Sequence, residues 1–284
     1  MKVLLTGATG FIGSHVVMHL LARGHEVVAL VRDEESARKL PWFDRVDFVA
    51  HDIRDGCPDL RGQGIAVPDV LMHLAWPGLP NYKDLFHFEE NLPEGYRFLK
   101  AMIEQGVGQV LVTGTCFEYG MQSGCLPESL PTQPSNPYGL AKDCLRKFLQ
   151  ELQVQRPFVL QWARLFYMYG PGQNERSLLA QLSGAIARGD RSFNMSGGAQ
   201  VRDYLRVEEV ARRLVLLAEC SSADGLFNCC SGVPRTVRAL VEDFVREQGA
   251  RIDLNFGFYP YPDYEPMEFW GDPERLNTVL GGRC

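Results

Sequence analysis

The chain has 284 residues, a mass of 31.9 kDa and 45% hydrophobic residues, enough apolar material for an ordinary core in one large domain or two closely joined ones, which excludes a disordered or fibrous chain. Its 29 Lys and Arg against 35 Asp and Glu leave a net charge of −6, and the basic residues are scattered, so no patch draws a nucleic-acid backbone or an anionic membrane. No apolar run reaches the roughly 18 to 20 residues of a bilayer span, and the apolar start Met1–Leu5 meets Thr6-Gly7 too early for a signal-peptide core, so a cytoplasmic protein with no membrane and no nucleic-acid partner is expected.

Short β-branched runs follow one another along the chain at Val3–Thr6, Val27–Val31, Val46–Ala50, Val70–Leu74, Val110–Thr113 and Phe158–Leu165, mostly separated by longer amphipathic segments. That alternation predicts an α/β protein, a doubly wound parallel sheet of the Rossmann type. The first and second runs are continuously apolar, as strands covered on both faces should be. Beyond about Phe166 the rhythm becomes irregular, and 256–266 reads as an aromatic-rich loop. The expected division is a dinucleotide-binding domain over residues 1–165 and a smaller, mainly substrate-binding region over 166–284, with a segment near 200–232 returning to the first domain through the strand-like Leu226–Cys230. The eight cysteines form no Cys-x-x-Cys pair and no Cys/His cluster, which predicts free thiols and no metal site.

Directly after the first strand stands Gly7-Ala8-Thr9-Gly10-Phe11-Ile12-Gly13, then a helix-like run from Ser14 to Arg23 closed by Gly24. Three glycines at this spacing let the backbone turn tightly, approach a pyrophosphate and pack helix on strand, while the helix N-terminus offers its unpaired N–H groups to the anion. The second strand ends Leu30-Val31-Arg32-Asp33. A cation there pairs with a 2′-phosphate and a carboxylate with ribose hydroxyls, so Arg32 favours NADP(H), with NAD(H) open through Asp33. Asp52, ahead of Ile53, either accepts from an adenine amino group or caps a loop.

Tyr138-Gly139-Leu140-Ala141-Lys142 sets a phenol and an ammonium four residues apart, on one face of a helix. A cation beside a tyrosine eases its ionisation, which suits proton exchange with an alcohol or carbonyl oxygen. The bland alternative is a surface helix pair. The glycine turn upstream and the hydroxyl-bearing Thr113-Gly114-Thr115, about 23 residues before Tyr138 at the end of a strand, favour catalysis, with Thr115 on the reacting oxygen.

With these segments in place, the chain resembles an extended short-chain dehydrogenase/reductase of the nucleotide-sugar epimerase/dehydratase group, most similar in pattern to NDP-4-keto-6-deoxyhexose C4 reductases. The similar segments include Gly7-x-x-Gly10-x-x-Gly13, His73-Leu74-Ala75, Asn91, Tyr138-x-x-x-Lys142, Arg164–Gln173 and Gln200–Ala211. The resemblance implies a nicotinamide cofactor held by Gly7, Thr9, Gly10, Phe11, Ile12, Gly13, Arg32, Asp52 and Ile53, and further on by Leu74, Ala75, Thr113, Tyr138, Lys142 and Leu165. It also implies an NDP-sugar substrate near Thr115, Tyr167 and Arg202, catalysis by Thr115, Tyr138 and Lys142, and a homodimer formed through two helices of each subunit. Arg202 would grip the diphosphate, or else pair with Asp203 at the surface. Dehydratases of the group carry Asp-Glu where this chain has Cys116-Phe117, which disfavours dehydration; Cys116 is either a small strand-end residue or a thiol base. A C4 reductase and a 4-epimerase remain, and Arg32 together with an abbreviated segment after Asp272 leans towards the reductase. Outside that pair stand a non-catalytic dinucleotide sensor and a reductase of a non-nucleotide carbonyl.

Overall fold

The computed structural model describes residues 1–282; Arg283 and Cys284 lie outside the described residues. Its elements run β1 (Lys2–Thr6), α1 (Phe11–Ala22), β2 (Glu26–Val31), α2 (Glu34–Arg38), β3 (Asp47–Ala50), β4 (Val70–His73), α3 (Leu92–Glu104) and β5 (Gln109–Thr115). Then follow β6 (Gly124–Leu126), α4 (Pro137–Gln155), β7 (Val159–Leu165), β8 (Tyr167–Tyr169), α5 (Leu178–Arg188), β9 (Ser192–Asn194), β10 (Val201–Arg206) and α6 (Val207–Glu219). The chain continues through β11 (Gly225–Cys229), β12 (Pro234–Thr236), α7 (Val237–Glu247), β13 (Asp253–Asn255), β14 (Phe269–Gly271) and α8 (Glu274–Gly282).

Seven strands form one parallel sheet in the order β11-β7-β5-β4-β1-β2-β3. Successive side chains of a strand face opposite ways, so Val3 and Leu5 enter the core under α1 and α6 while Leu4 enters the core under α3 and α4. Both cores are closed to solvent: Val16, Val17 and Leu20 on one side and Phe98, Leu99, Leu145 and Leu149 on the other have no exposure, each worth about 1.5–3 kcal/mol of burial. The direction of strand addition reverses between β1 and β4, and the carboxyl ends of β1, β4 and β5 therefore open a crevice in which α/β ligands bind. Strand β11 joins this sheet beside β7, pairing Gly225–Cys229 with Gln161–Leu165.

Outside the main sheet, β8, β10 and β12 form a three-stranded sheet, and β9/β13 and β6/β14 form two-stranded ones. Leu179, Leu182, Met195, Leu240 and Val241 give this region a small core of its own. Its strands run mostly to three residues, too short for a periodic signal, which is why the chain beyond Phe166 reads as irregular. Helix α1 begins at Phe11 rather than Ser14, because Gly10 is its N-cap and the chain turns helical as soon as the glycine turn ends.

Cys57, Cys116, Cys125, Cys144, Cys229 and Cys230 are free. Cys220 is disulfide-bonded, a departure from the expectation of free thiols throughout. Among the described residues no helix is long and apolar enough to cross a membrane, and no group of His, Cys, Asp or Glu is arranged to hold a metal.

Candidate active site

The turn after β1 is shaped by backbone crowding. Gly7 has φ +75°, and a Cβ there would stand 2.8 Å from the Ala75 nitrogen; a Cβ on Gly13 would lie 1.9 Å from the Gly7 oxygen. Only glycine satisfies both positions. Gly10 caps α1 without a side chain, and the first helical turn carries no acid, so the end of the macrodipole faces outward with its N–H groups free for an anion. Thr9 and Gly10 are exposed beside it. Thr6 holds the neighbouring strand in place: its Oγ1 pairs with His73 Nδ1 at 2.9 Å and accepts from the Ala75 nitrogen at 3.3 Å. A diphosphate of a dinucleotide fits this cradle, since a Cβ would fill the room the glycines leave.

At the end of β2, Arg32 is exposed. Asp33 is spent on the chain itself, accepting from Glu35 N, Ser36 N and Ser36 Oγ as the cap of α2. Asp52 accepts from Arg54 N, Nε and Nη2, and the Arg54 hydrogen bond holds its carboxyl below the usual range. Asp52 thus caps the loop that follows β3. Ile53 packs against the core beneath α3.

A cavity of about 830 Å³ opens at the carboxyl edge of the sheet. Phe11, Ile12, Leu74, Thr113 and Leu165 line its cofactor side, and Thr115, Tyr138, Lys142 and Tyr167 converge on it. Asn136 starts α4 by accepting from Gly139 N at 2.8 Å, with Pro137 at the first helical position, an N-terminus that fixes where Tyr138 points. Lys142, 1% exposed, donates from Nζ to the Thr113 carbonyl at 2.8 Å. Burial pulls its proton affinity down to about 7, opposed by the Glu118 carboxylate. The Tyr138 phenol moves the other way: burial raises it well above the ordinary tyrosine value, and the Thr115 hydroxyl, hydrogen-bonded to it, works against the rise. The expected easily ionised phenol is therefore not what this enclosure produces. Tyr138 is held neutral, with its proton in place. Burial likewise pushes Cys116 up to about 12, which works against a thiolate there.

Several residues at this site carry no motif. Rings of Trp76, Tyr82, His87 and Phe117 surround Tyr138 at centroid distances of 6.1, 5.6, 5.2 and 6.2 Å. The segment bearing Tyr82 is pinned there by Tyr138 N donating to the Tyr82 carbonyl at 3.2 Å. Asn91 ties down the same loop, its Nδ2 donating to the Pro77 carbonyl at 3.0 Å. Beneath the site Glu118, fully buried, accepts from Thr115 N at 2.9 Å, Trp162 Nε1 at 2.9 Å and Arg164 Nε at 2.7 Å. Glutamate three residues after a threonine is a capping-box signal, and Thr115 with Glu118 forms that box.

Arg202 does not reach the cavity wall. It is 1% exposed, pairs with Glu265 at 2.8 Å and donates to the Val201 and Met267 carbonyls. Its partner is thus Glu265 and not Asp203, which accepts from Ser231 N and Gly232 N. Tyr167 lines the cavity yet also donates to Glu265, and Gln200 donates to the same carboxylate at 3.1 Å.

Three comparisons bear on this geometry. Residues 3–230 match the model of the NAD dependent epimerase/dehydratase family. The dTDP-6-deoxy-L-talose 4-dehydrogenase (NAD(+)) of Aggregatibacter actinomycetemcomitans is 30% identical over 272 residues, 95% of this chain and 99% of that one. A UDP-glucose 4-epimerase of Halalkalibacterium halodurans is 27% identical, across 99% of this chain and 90% of its own. Among solved structures, MoeE5 in complex with UDP-glucuronic acid and NAD superposes with a TM-score of 0.81 at 28% identity, covering 99% of this chain and 93% of that one.

Proposed function

Because the chain belongs to the NAD-dependent epimerase/dehydratase family, we propose that it is a nucleotide-sugar 4-ketoreductase, reducing the C4 ketone of an NDP-4-keto-6-deoxyhexose to an alcohol. The observation that carries this reading is the convergence of Thr115, Tyr138 and Lys142 on one cavity beside the glycine turn. A full-length relative named as a 6-deoxysugar 4-dehydrogenase supports the substrate class, and Cys116-Phe117 leave no acid and base for dehydration.

Residues 1–165 hold the dinucleotide and 166–284 mainly close over the sugar, with 200–232 returning to the first unit. A bound reduced nicotinamide supplies the hydride that the ketone carbon receives. Tyr138 passes its phenolic proton to the ketone oxygen, and Thr115 orients that oxygen from the other side. The resulting phenolate is held by the Lys142 ammonium and regains its proton from solvent. Gly7, Gly10 and Gly13 with the α1 N-terminus take the pyrophosphate. Arg32, exposed while Asp33 is occupied as a cap, favours NADP(H), although the relative just named uses NAD(+). Two subunits pair through α3 and α4, where Leu140, Phe148 and Val154 are exposed.

The test mixes purified chain with NADPH or NADH and a panel of dTDP-, GDP-, CDP- and UDP-4-keto-6-deoxy sugars while following absorbance of the reduced nicotinamide. Stoichiometric oxidation supports the reductase. Inversion of the sugar without net oxidation supports the second reading, a 4-epimerase, which the full-length UDP-glucose 4-epimerase relative favours.

A further inference from the structure

The Lys142 ammonium has a neighbour that neither the glycine turn nor the Tyr-x-x-x-Lys motif accounts for. Trp76, on the loop after β4, lays its indole over Lys142, with Nζ 4.0 Å from the ring centroid. The indole is fixed in that pose, because its Nε1 donates to His87 Nδ1 at 3.0 Å and His87 pairs through Nε2 with the Asn81 carbonyl at 3.0 Å. We propose that Trp76 is a positioning residue for the reaction, whose ring face keeps Lys142 charged and pointed at the reacting end of the cavity.

The physical case rests on what else faces Nζ. From β5 comes only a neutral acceptor, the Thr113 carbonyl. From β4 comes His73, fully buried and held neutral by that burial, which offers no counter-charge. Tyr138, on the same helix, is neutral. Among the described residues Glu118 supplies the carboxylate, on which Arg164 at 2.7 Å and Arg146 at 3.8 Å already draw, and His87, the ring that holds the indole, adds no counter-charge. An ammonium in such a place loses its hydration with little in return, and a ring face attracts only the charged form. At 4.0 Å the Trp76 ring covers one side of Nζ.

The inference rests on the reading of Lys142 as partner to Tyr138, but its test reads the charge on Nζ itself. The chain has six lysines. In ¹⁵N-lysine-labelled protein the Nζ signal of Lys142 is assigned by its loss in Lys142→Arg and titrated with pH. Trp76→Leu is expected to lower its midpoint by about 0.4 to 1.5 pH units, a roughly 2- to 30-fold loss of proton affinity. Trp76→Phe, which keeps a smaller ring face but not the bond to His87, should lower it less. The alkaline limb of kcat should move down by the same amounts, with the KM for the dinucleotide changed less than kcat. An unmoved or raised midpoint in Trp76→Leu overturns the proposal, and so, should Trp76→Leu fail to fold, does a raised midpoint in Trp76→Phe. A lowered midpoint with no reductase activity on any sugar leaves the Trp76 assignment standing and removes the proposed function instead.

Discussion

Gly13→Ala tests how the fold builds the cofactor cradle. The added methyl would sit 1.9 Å from the Gly7 oxygen, 2.7 Å from its carbonyl carbon and 2.9 Å from Ala8 Cα, all of them backbone atoms. Ordinary contact begins at 3.4 Å, so helix and turn must separate by about 1.5 Å. No flexible side chain can yield in their place. Helix α1 cannot tilt freely either, since Val16, Val17 and Leu20 are locked into the core beside α6. Overpacking of this kind costs about 1–3 kcal/mol, and at roughly 2–4 °C per kcal/mol for a chain of this size the melting temperature should fall by about 2–12 °C. Displacing the N-terminal N–H groups of α1 from the pyrophosphate should weaken dinucleotide binding at least tenfold. Thermal denaturation and a fluorescence titration with NADH and NADPH read both effects. Wild-type melting and wild-type affinity together would refute the argument that these glycines are dictated by steric necessity at a ligand turn.

Other substitutions probe the charges around the site. Glu118→Ala removes the carboxylate that Arg164 needs while both are inaccessible to water, and should cost about 3–5 kcal/mol; chemical denaturation reporting under 1 kcal/mol would show that the cluster carries no such strain. Lys142→Met should abolish turnover and yet raise stability near neutral pH. The sign follows from linkage: burial places the folded-state proton affinity at about 7, below the ordinary lysine value of 10.5, so between those limits the unfolded chain binds more protons and stability rises with pH. The advantage of Lys142→Met over wild type should therefore be greatest at pH 6 and shrink towards pH 10 in melting curves, whereas a pH-independent difference contradicts the buried ammonium. Arg32→Asp should weaken NADPH far more than NADH in equilibrium binding, and an equal effect on both removes the case for a phosphate contact.

The parallel sheet was legible because strands covered on both faces must be continuously apolar, as Val27–Val31 is, and the glycine turn because positions 7 and 13 admit no other residue. Tyr138 and Lys142 were legible because a four-residue spacing decides which helical face both share. Their charge states were not, since those depend on enclosure: the phenol rises and the ammonium falls through burial that no local pattern encodes. Trp76 and Tyr82 escaped notice for a related reason. They sit on a proline- and glycine-punctuated loop without periodicity, and only the fold brings that loop over the start of α4. The sequence around Arg202 suggests an open anion site because only the fold brings Glu265, some sixty residues later in the chain, onto its guanidinium. The short strands beyond Phe166 are set by partners distant in sequence, such as β9 with β13, and not by any run of their own.

The most direct measurement is a single-turnover comparison of wild type and Tyr138→Phe with an accepted NDP-4-keto sugar and saturating reduced cofactor. Removing the phenolic proton while keeping the ring should slow hydride transfer by about 10²–10⁴ and leave dinucleotide affinity nearly unchanged. Transfer at the wild-type rate in Tyr138→Phe would contradict the assignment of Tyr138 as the proton donor, and with it the account of the cavity as a ketoreductase site.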